Sequence, residues 1–394
     1  MSQCERKERA NVRMASSLEV RPWFSLFSLL STLLFVDILL KPFVELNPPA
    51  RVKKVPQLPL RFRHDGSFKI LQVADMHYGN GAVTRCRDVP PAEAPYCSDL
   101  NTTQFLNRLI AAENPDLIVF TGDNIFGASA TDAAESLIKA FKPVREHKIP
   151  WAAILGNHDQ ESTMNRLELM DFMSSMDYSL SQVNPQGYVI NGYGNYHVNI
   201  NGPFGSGFVN RSVLNLYLMD SGDREVVNGK KTYSWIKESQ LYWLRNTSYM
   251  LQEMSPAAAL AFFHIPISEV RDLWYKGYIG TYQEAVACST VNSGVLASLV
   301  QMGDVKSVFI GHDHLNDFCG NISGIWFCYG GGFGYHAYGK AFWPRRGRVI
   351  SVQLRKAGKE WGQVELIRTW KRLDDQKLSK IDDQVLWRCS SGDV

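Results

Sequence analysis

Five short polar clusters constrain this chain most, because each one sits where an apolar run stops. They are Asp75-Met76-His77, Gly122-Asp123, Gly156-Asn157-His158-Asp159, His264 and Gly311-His312-Asp313-His314. The runs before them are Phe68 to Ala74, Leu117 to Thr121, Trp151 to Leu155, Ala257 to Phe263 and Val305 to Ile310. Short apolar runs bounded by glycine and polar residues read as buried strands. In an open α/β sheet, ligands bind in the crevice beyond the carboxyl ends of the strands. Five such strands aim Asp, His and Asn side chains at one spot.

Those side chains are the donors that two divalent or trivalent metal ions require. Carboxylate, imidazole and amide oxygen suit iron, zinc or manganese, and no cysteine joins the set. Two cations about 4 Å apart clamp the attacking and leaving oxygens of a phosphoryl displacement. A single histidine at a strand end is more often a hydrogen-bonded structural residue than a ligand. Five clusters in this order are not explained that way.

The ordered set DMH, GD, GNHD, H and GHDH resembles the calcineurin-like metallophosphoesterase superfamily. The strings ADMHYGNG, VNSGVLASLVQMGDVKSVFIGHDHLNDFCG and GGGFGYHAYG resemble the short plant proteins called "probable inactive" purple acid phosphatases. Those proteins lack an amino-terminal β-sandwich and are related to a fungal phosphatase group. The likeness runs from about Phe62 to Trp370. It implies an α/β fold, a four-layer α/β/β/α sandwich of two mixed sheets flanked by helices. It also implies two metal ions, iron with zinc or manganese, and hydrolysis of phosphate monoesters by a hydroxide held between them.

The matched motifs carry roles with them. Asp75, His77 and His314 are expected to hold the first metal, and Asp123 to bridge both. Asn157, His264 and His312 are expected to complete the second site. His158 is expected to be the general acid for the leaving alkoxide or a clamp on the phosphoryl oxygens, so Asn157 and His158 both face substrate. Either Asp159 or Asp313 orients His158, or each caps the turn that follows it. Gly330 to Gly339 either lines the substrate pocket, with His336 touching phosphate, or is a glycine-rich turn between strands. One departure matters: purple acid phosphatases carry a tyrosine three residues after the bridging aspartate, where this chain has Phe126. They also have glycine two residues after the first aspartate, where this chain has His77. One ligand is lost and another gained, as in non-purple members. The same centre also serves a phosphodiesterase or a nucleotide or phosphoprotein hydrolase. A catalytically silent phosphate-binding protein is the third reading.

The chain has 394 residues, 45% of them hydrophobic, enough for one large α/β domain. A net charge of +3 and no basic stripe argue against nucleic acid as a partner. The expected partner is a phosphorylated substrate, a small ester or a phosphoprotein. Residues 1–60 read as a basic amino-terminal region, an apolar segment at 23–40 and a proline-containing linker. That pattern fits a signal peptide or a membrane anchor, and so entry into the secretory pathway with an extracellular, vacuolar or lumenal destination. Sequons at Asn101, Asn210, Asn246 and Asn321 agree with that route. Six cysteines follow the leader and allow fifteen pairings. Cys86 and Cys97 bracket a proline-rich loop, and Cys319 and Cys328 flank a turn at Ser323-Gly324.

The catalytic domain is expected over 61–371, followed by a polar and mobile tail at 372–394. Helical stripes are expected over 101–113, 132–147, 163–176 and 234–251. The stretch 187–220 alternates like strands of a second sheet, with His197 structural, and strands at 348–354 and 362–370 are expected to close that second sheet.

Overall fold

The computed structural model describes residues 27–36 and 52–389. They fall in two compact units, divided between Val52 and Lys53. In the first, residues 27–36 form helix α1, whose apolar side chains are exposed. The rest of the expected segment 23–40 lies outside the described residues. Among the described residues no helix is long and apolar enough to cross a membrane.

The second unit carries fifteen strands and seven helices in sequence order. It begins with β1 (Leu60–Arg61), β2 (Ser67–Val73), α2 (Asp99–Glu113), β3 (Leu117–Thr121), α3 (Ala133–Ala140), α4 (Lys142–Glu146), β4 (Trp151–Ile154) and α5 (Arg166–Ser175). Next come β5 (Tyr196–Asn201), β6 (Ser212–Leu218), the hairpin of β7 (Arg224–Val227) and β8 (Lys230–Tyr233), α6 (Glu238–Met254) and β9 (Ala258–Phe262). It ends with α7 (Leu273–Lys276), α8 (Val295–Met302), β10 (Val305–Ile310), β11 (Cys319–Ile322), β12 (Ile325–Tyr329), β13 (Arg346–Ala357), β14 (Glu360–Leu373) and β15 (Lys380–Arg388).

Two large mixed sheets result. One has the order β15-β14-β13-β2-β3-β4, the other β1-β5-β6-β9-β10-β12-β11. Within them β2, β3 and β4 run parallel, as do β6, β9, β10 and β12. Hydrogen bonds cross between the sheets: Tyr196 Oη donates to Ala153 O at 2.8 Å, and Gln72 Nε2 to Ile310 O at 3.0 Å. Both faces of the central strands are buried: Leu71 and Phe120 face the helices, Ile154, Leu216, Phe262 and Phe309 face the space between the sheets, and none of the six has solvent contact. This is the expected layered α/β architecture, and every strand that precedes a polar cluster is where the apolar runs place it.

Local chemistry sets the helix ends. Ser98 caps α2 in a reciprocal pair with Asn101, and Asn165 does the same for α5 with Glu168. The single helix expected over 132–147 is two. It breaks at Phe141 because Pro143 has no N–H to donate back to the preceding turn. The helix expected from 234 starts at Glu238, since 230–233 is strand β8.

Three further expectations need correcting. The late strands β13 and β14 join β2 in the first sheet, not the second. Residues 372–389 are not a free tail, because β15 pairs with β14 along its length. What holds that edge is a buried ion network: Lys371 Nζ lies 2.6 Å from Asp317 and 2.6 Å from Asp382, the latter on β15. The domain also starts before 61, since Lys53 Nζ donates to the carbonyls of Ser174 and Ser179 at 2.6 and 2.9 Å. Cys86–Cys97 closes the proline-rich loop, and Cys319–Cys328 joins directly opposed residues of β11 and β12.

Candidate metal centre

The strand ends converge on two donor groups that share one residue. Asp75, His77, Asp123 and His314 offer ligand atoms within 4.8 Å of one another, and so do Asp123, His264 and His312. All six are buried. Asp123 Oδ2 is 3.3 Å from His77 Nε2 and 3.3 Å from His264 Nε2, so one carboxylate oxygen belongs to both groups. His77 Nε2 lies 3.0 Å from His314 Nε2, which is 3.4 Å from Asp75 Oδ1. Asn157 Oδ1 approaches His264 Nε2 at 3.1 Å, turning its amide oxygen into the second group.

The backbone is strained to make this arrangement. Asp75, His77, Asp123 and His312 all have φ between 47° and 81°, a region non-glycine residues seldom adopt. Such residues persist where surrounding structure over-determines them. The flanking glycines are sterically required: a Cβ on Gly156 would sit 2.1 Å from Asp123 Oδ1, and one on Gly122 would sit 2.6 Å from His264 Nδ1.

The donor set fits metal ions. His264 Nδ1 donates to Thr121 O at 2.9 Å and His314 Nδ1 to Tyr338 O at 3.0 Å. Each bond occupies Nδ1 and leaves Nε2 facing the centre. His312 Nε2 is buried with no hydrogen-bond partner, an expense that a ligated ion removes. Burial pushes the His77 imidazole down to about 4 and that of His312 to about 3, so both are neutral donors near pH 7. Burial opposes ionisation of Asp123 too, yet the His264 and His77 imidazoles beside it hold its carboxyl well below the usual range.

His158 stands at the rim, its ring 5.3 Å from that of His77. Neither aspartate named from the sequence orients it. Asp159 accepts from Gly156 N at 2.7 Å and Ile125 N at 3.0 Å, bracing the metal loops. Asp313 accepts from Tyr329 Oη at 2.6 Å and from Ala287 N, and burial pushes its carboxyl up to about 8. The partner of His158 is Glu161, whose Oε2 is 2.8 Å from Nδ1. Arg224 completes the rim: it donates to Asn157 O at 2.9 Å and Glu161 Oε1 at 3.1 Å, and its Nη2 is 3.4 Å from His158 Nε2.

His336 packs on the far side of the Phe126 wall, its ring 5.6 Å from that of Phe126. Its Nδ1 meets Arg85 O at 2.7 Å and its Nε2 meets Ser129 Oγ at 2.9 Å, so both nitrogens have structural partners. His197 lies on β5, away from the centre. Glu161, Arg224 and the Tyr233 ring, which stands edge-on 4.4 Å from His312, were not singled out from the sequence. A signal existed: Asn228-Gly229 has left-handed φ at both residues, the two-residue hairpin turn that would have marked β7 and β8.

The family profile described as "Calcineurin-like phosphoesterase" matches residues 68–316, more than half of the chain. The chain belongs to the calcineurin-like phosphoesterase family. Within that family it is 59% identical, over 92% of its length and 94% of the other's, to "Probable inactive purple acid phosphatase 28" of Arabidopsis thaliana. It is 35% identical to "Phosphatase DCR2" of Saccharomyces cerevisiae, covering 82% of this chain and 56% of that one. A solved dimetal phosphatase from Danio rerio shares the fold at a TM-score of 0.50 and 16% identity, covering 82% of this chain and 99% of its own. The phosphoesterase fold is therefore shared with these proteins. The word "inactive" belongs to the relatives' names.

Proposed function

We propose that this phosphoesterase hydrolyses phosphate monoesters with two metal ions, iron paired with zinc or manganese. The observation that carries the reading is the position of Asp123 Oδ2, equidistant from His77 and His264 and shared by two complete donor groups. Asp75, His77 and His314 would hold one ion, Asn157, His264 and His312 the other, with Asp123 between them. When bound, such a pair supplies Lewis acidity toward the phosphoryl oxygens and lowers the pKa of water.

The chain's own groups do the rest. Glu161 fixes His158 through Nδ1 and leaves Nε2 beside Arg224 Nη2 at 3.4 Å. With substrate in place of the Arg224 contact, a proton on that Nε2 would pass to the departing alkoxide. The Arg224 guanidinium, beside His158 and over the Asn157 carbonyl, offers positive charge where phosphoryl oxygens would gather it. Phe126 closes the same wall, with ring centroids 5.4 Å from His77 and 4.9 Å from His158.

Two disulfides among the described residues and four sequons with no buried asparagine support folding in an oxidising lumen. Turnover of monoesters and of bis-p-nitrophenyl phosphate by metal-reconstituted protein tests the function. Monoester hydrolysis that chelation abolishes and metal restores supports it. A protein holding two ions that turns over no monoester refutes it.

A further inference from the structure

The β7–β8 hairpin belongs to neither large sheet. An isolated two-stranded hairpin is marginal in water, so its place depends on what it touches. It touches the metal centre at its open end, where Arg224 and Tyr233 pair across the two strands. Arg224 opens β7 against Asn157 and His158, and Tyr233 closes β8 against His312. Next to Tyr233, Thr232 Oγ1 accepts from Thr290 N at 2.9 Å, tying the hairpin to the 288–290 segment.

A cavity of about 650 Å³ lies between the hairpin and that segment, and its lining includes Arg224, Lys231, Tyr233 and the buried Cys288. That volume suits a small ligand. Its charge is uneven. Glu225, the acid in the lining, is already engaged by Lys237 at 3.3 Å. The Lys231 ammonium has no charged or hydrogen-bonding partner among the described residues, while Arg224 carries the cavity's positive character to the rim of the centre. The wall nearest the metals therefore leads directly to an uncommitted cation.

We infer that this cavity receives the leaving group of the substrate and that Lys231 selects leaving groups bearing a second anionic group, a carboxylate or another phosphate. This rests on the monoesterase reading and narrows it: the preferred substrate is a small phosphate ester with a further negative charge. Lys231 determines specificity here and takes no part in bond cleavage.

Two matched pairs test it on the metal-loaded protein. The esters are 3-phosphoglycerate and glycerol 3-phosphate, which differ at a carboxylate. The inert ligands are 3-phosphonopropionate and propylphosphonate, whose dissociation constants calorimetry gives without turnover. The wild type is expected to favour the carboxylate in both pairs by about fivefold, the scale of one partly exposed ion pair. Lys231→Gln should bring both ratios near one, and Lys231→Glu should invert them. Ratios are insensitive to the fraction of folded protein, so a poorly folding variant still reports. No carboxylate preference in the wild type, or a preference that survives Lys231→Glu, overturns the inference while leaving monoesterase activity standing. Absence of both turnover and phosphonate binding overturns the inference together with the functional reading beneath it.

Discussion

The Phe126 ring packs 5.4 Å from the His77 imidazole, so the residue that lacks a ligating oxygen touches the residue that supplies an additional nitrogen. The pair is a single exchange at one site. A phenolate would have brought a negative charge, and an imidazole brings none.

The exchange has a spectroscopic consequence. Phenolate-to-iron charge transfer requires a phenolate, and Phe126 has none. Tyr78, the neighbour of His77, is not a substitute: it is buried and its hydroxyl pairs with Thr103 Oγ1 at 3.2 Å. Iron-loaded protein is expected to be nearly colourless in the visible. Phe126→Tyr should introduce a band, whereas a strong band in the wild type that Tyr78→Phe removes would contradict this.

The rim makes a kinetic prediction. His158→Ala is expected to lower kcat by about 10²- to 10⁴-fold on alkyl phosphates and much less on p-nitrophenyl phosphate, whose leaving group needs little protonation. Glu161→Gln should show the same pattern at about a tenth of the size, because it only orients the ring. Metal content should be unchanged in both. Equal losses on good and poor leaving groups would remove the proton-transfer role and leave phosphoryl clamping.

How much of this was legible in the sequence follows from where each contact is made. The metal donors sit at ends of apolar runs, so a local pattern places them, and strand geometry does the convergence. Arg224 reaches the centre only because a whole hairpin docks on it, and no local pattern encodes docking. Glu161 lies three residues past His158, but the turn that brings them together competes with the acids Asp159 and Asp313, which looked equally placed. Strand β15 was hidden because Asp382, Asp383 and Gln384 read as solvent-facing. Asp382 is on the sheet edge because Lys371 is buried beneath it.

That buried network should carry measurable stability. Asp317 has no solvent exposure and pairs with both Arg346 and Lys371. Asp317→Ala leaves two buried cations short of their counter-ion and is expected to cost about 3–5 kcal/mol in urea unfolding. Asp382→Ala, at a partly exposed site, should cost about 1 kcal/mol or less. A cost below about 1 kcal/mol for Asp317→Ala would show that the network does not hold β13 and β14 to the core.

Asp99 gives a pH dependence. Its Oδ2 accepts from Gly79 N at 2.9 Å and Gly81 N at 3.0 Å, and burial raises its carboxyl to about 7. The folded value lies above the unfolded one, so its favourable contribution is complete below about pH 4 and is lost as pH rises to about 7. The slope approaches 1.4 kcal/mol per pH unit inside that window. Asp99→Asn should therefore gain stability relative to wild type as pH rises from 4 to 7. A difference that stays flat across the window would contradict it.

The shared carboxylate of Asp123 is the centre of the account, and metal content measures it most directly. Protein reconstituted with iron, zinc or manganese, then freed of loosely held ions, is expected to hold close to two ions per chain by elemental analysis, falling to one or none in Asp123→Ala. A wild-type content that stays at one ion or below under every metal tried would contradict the two-ion centre.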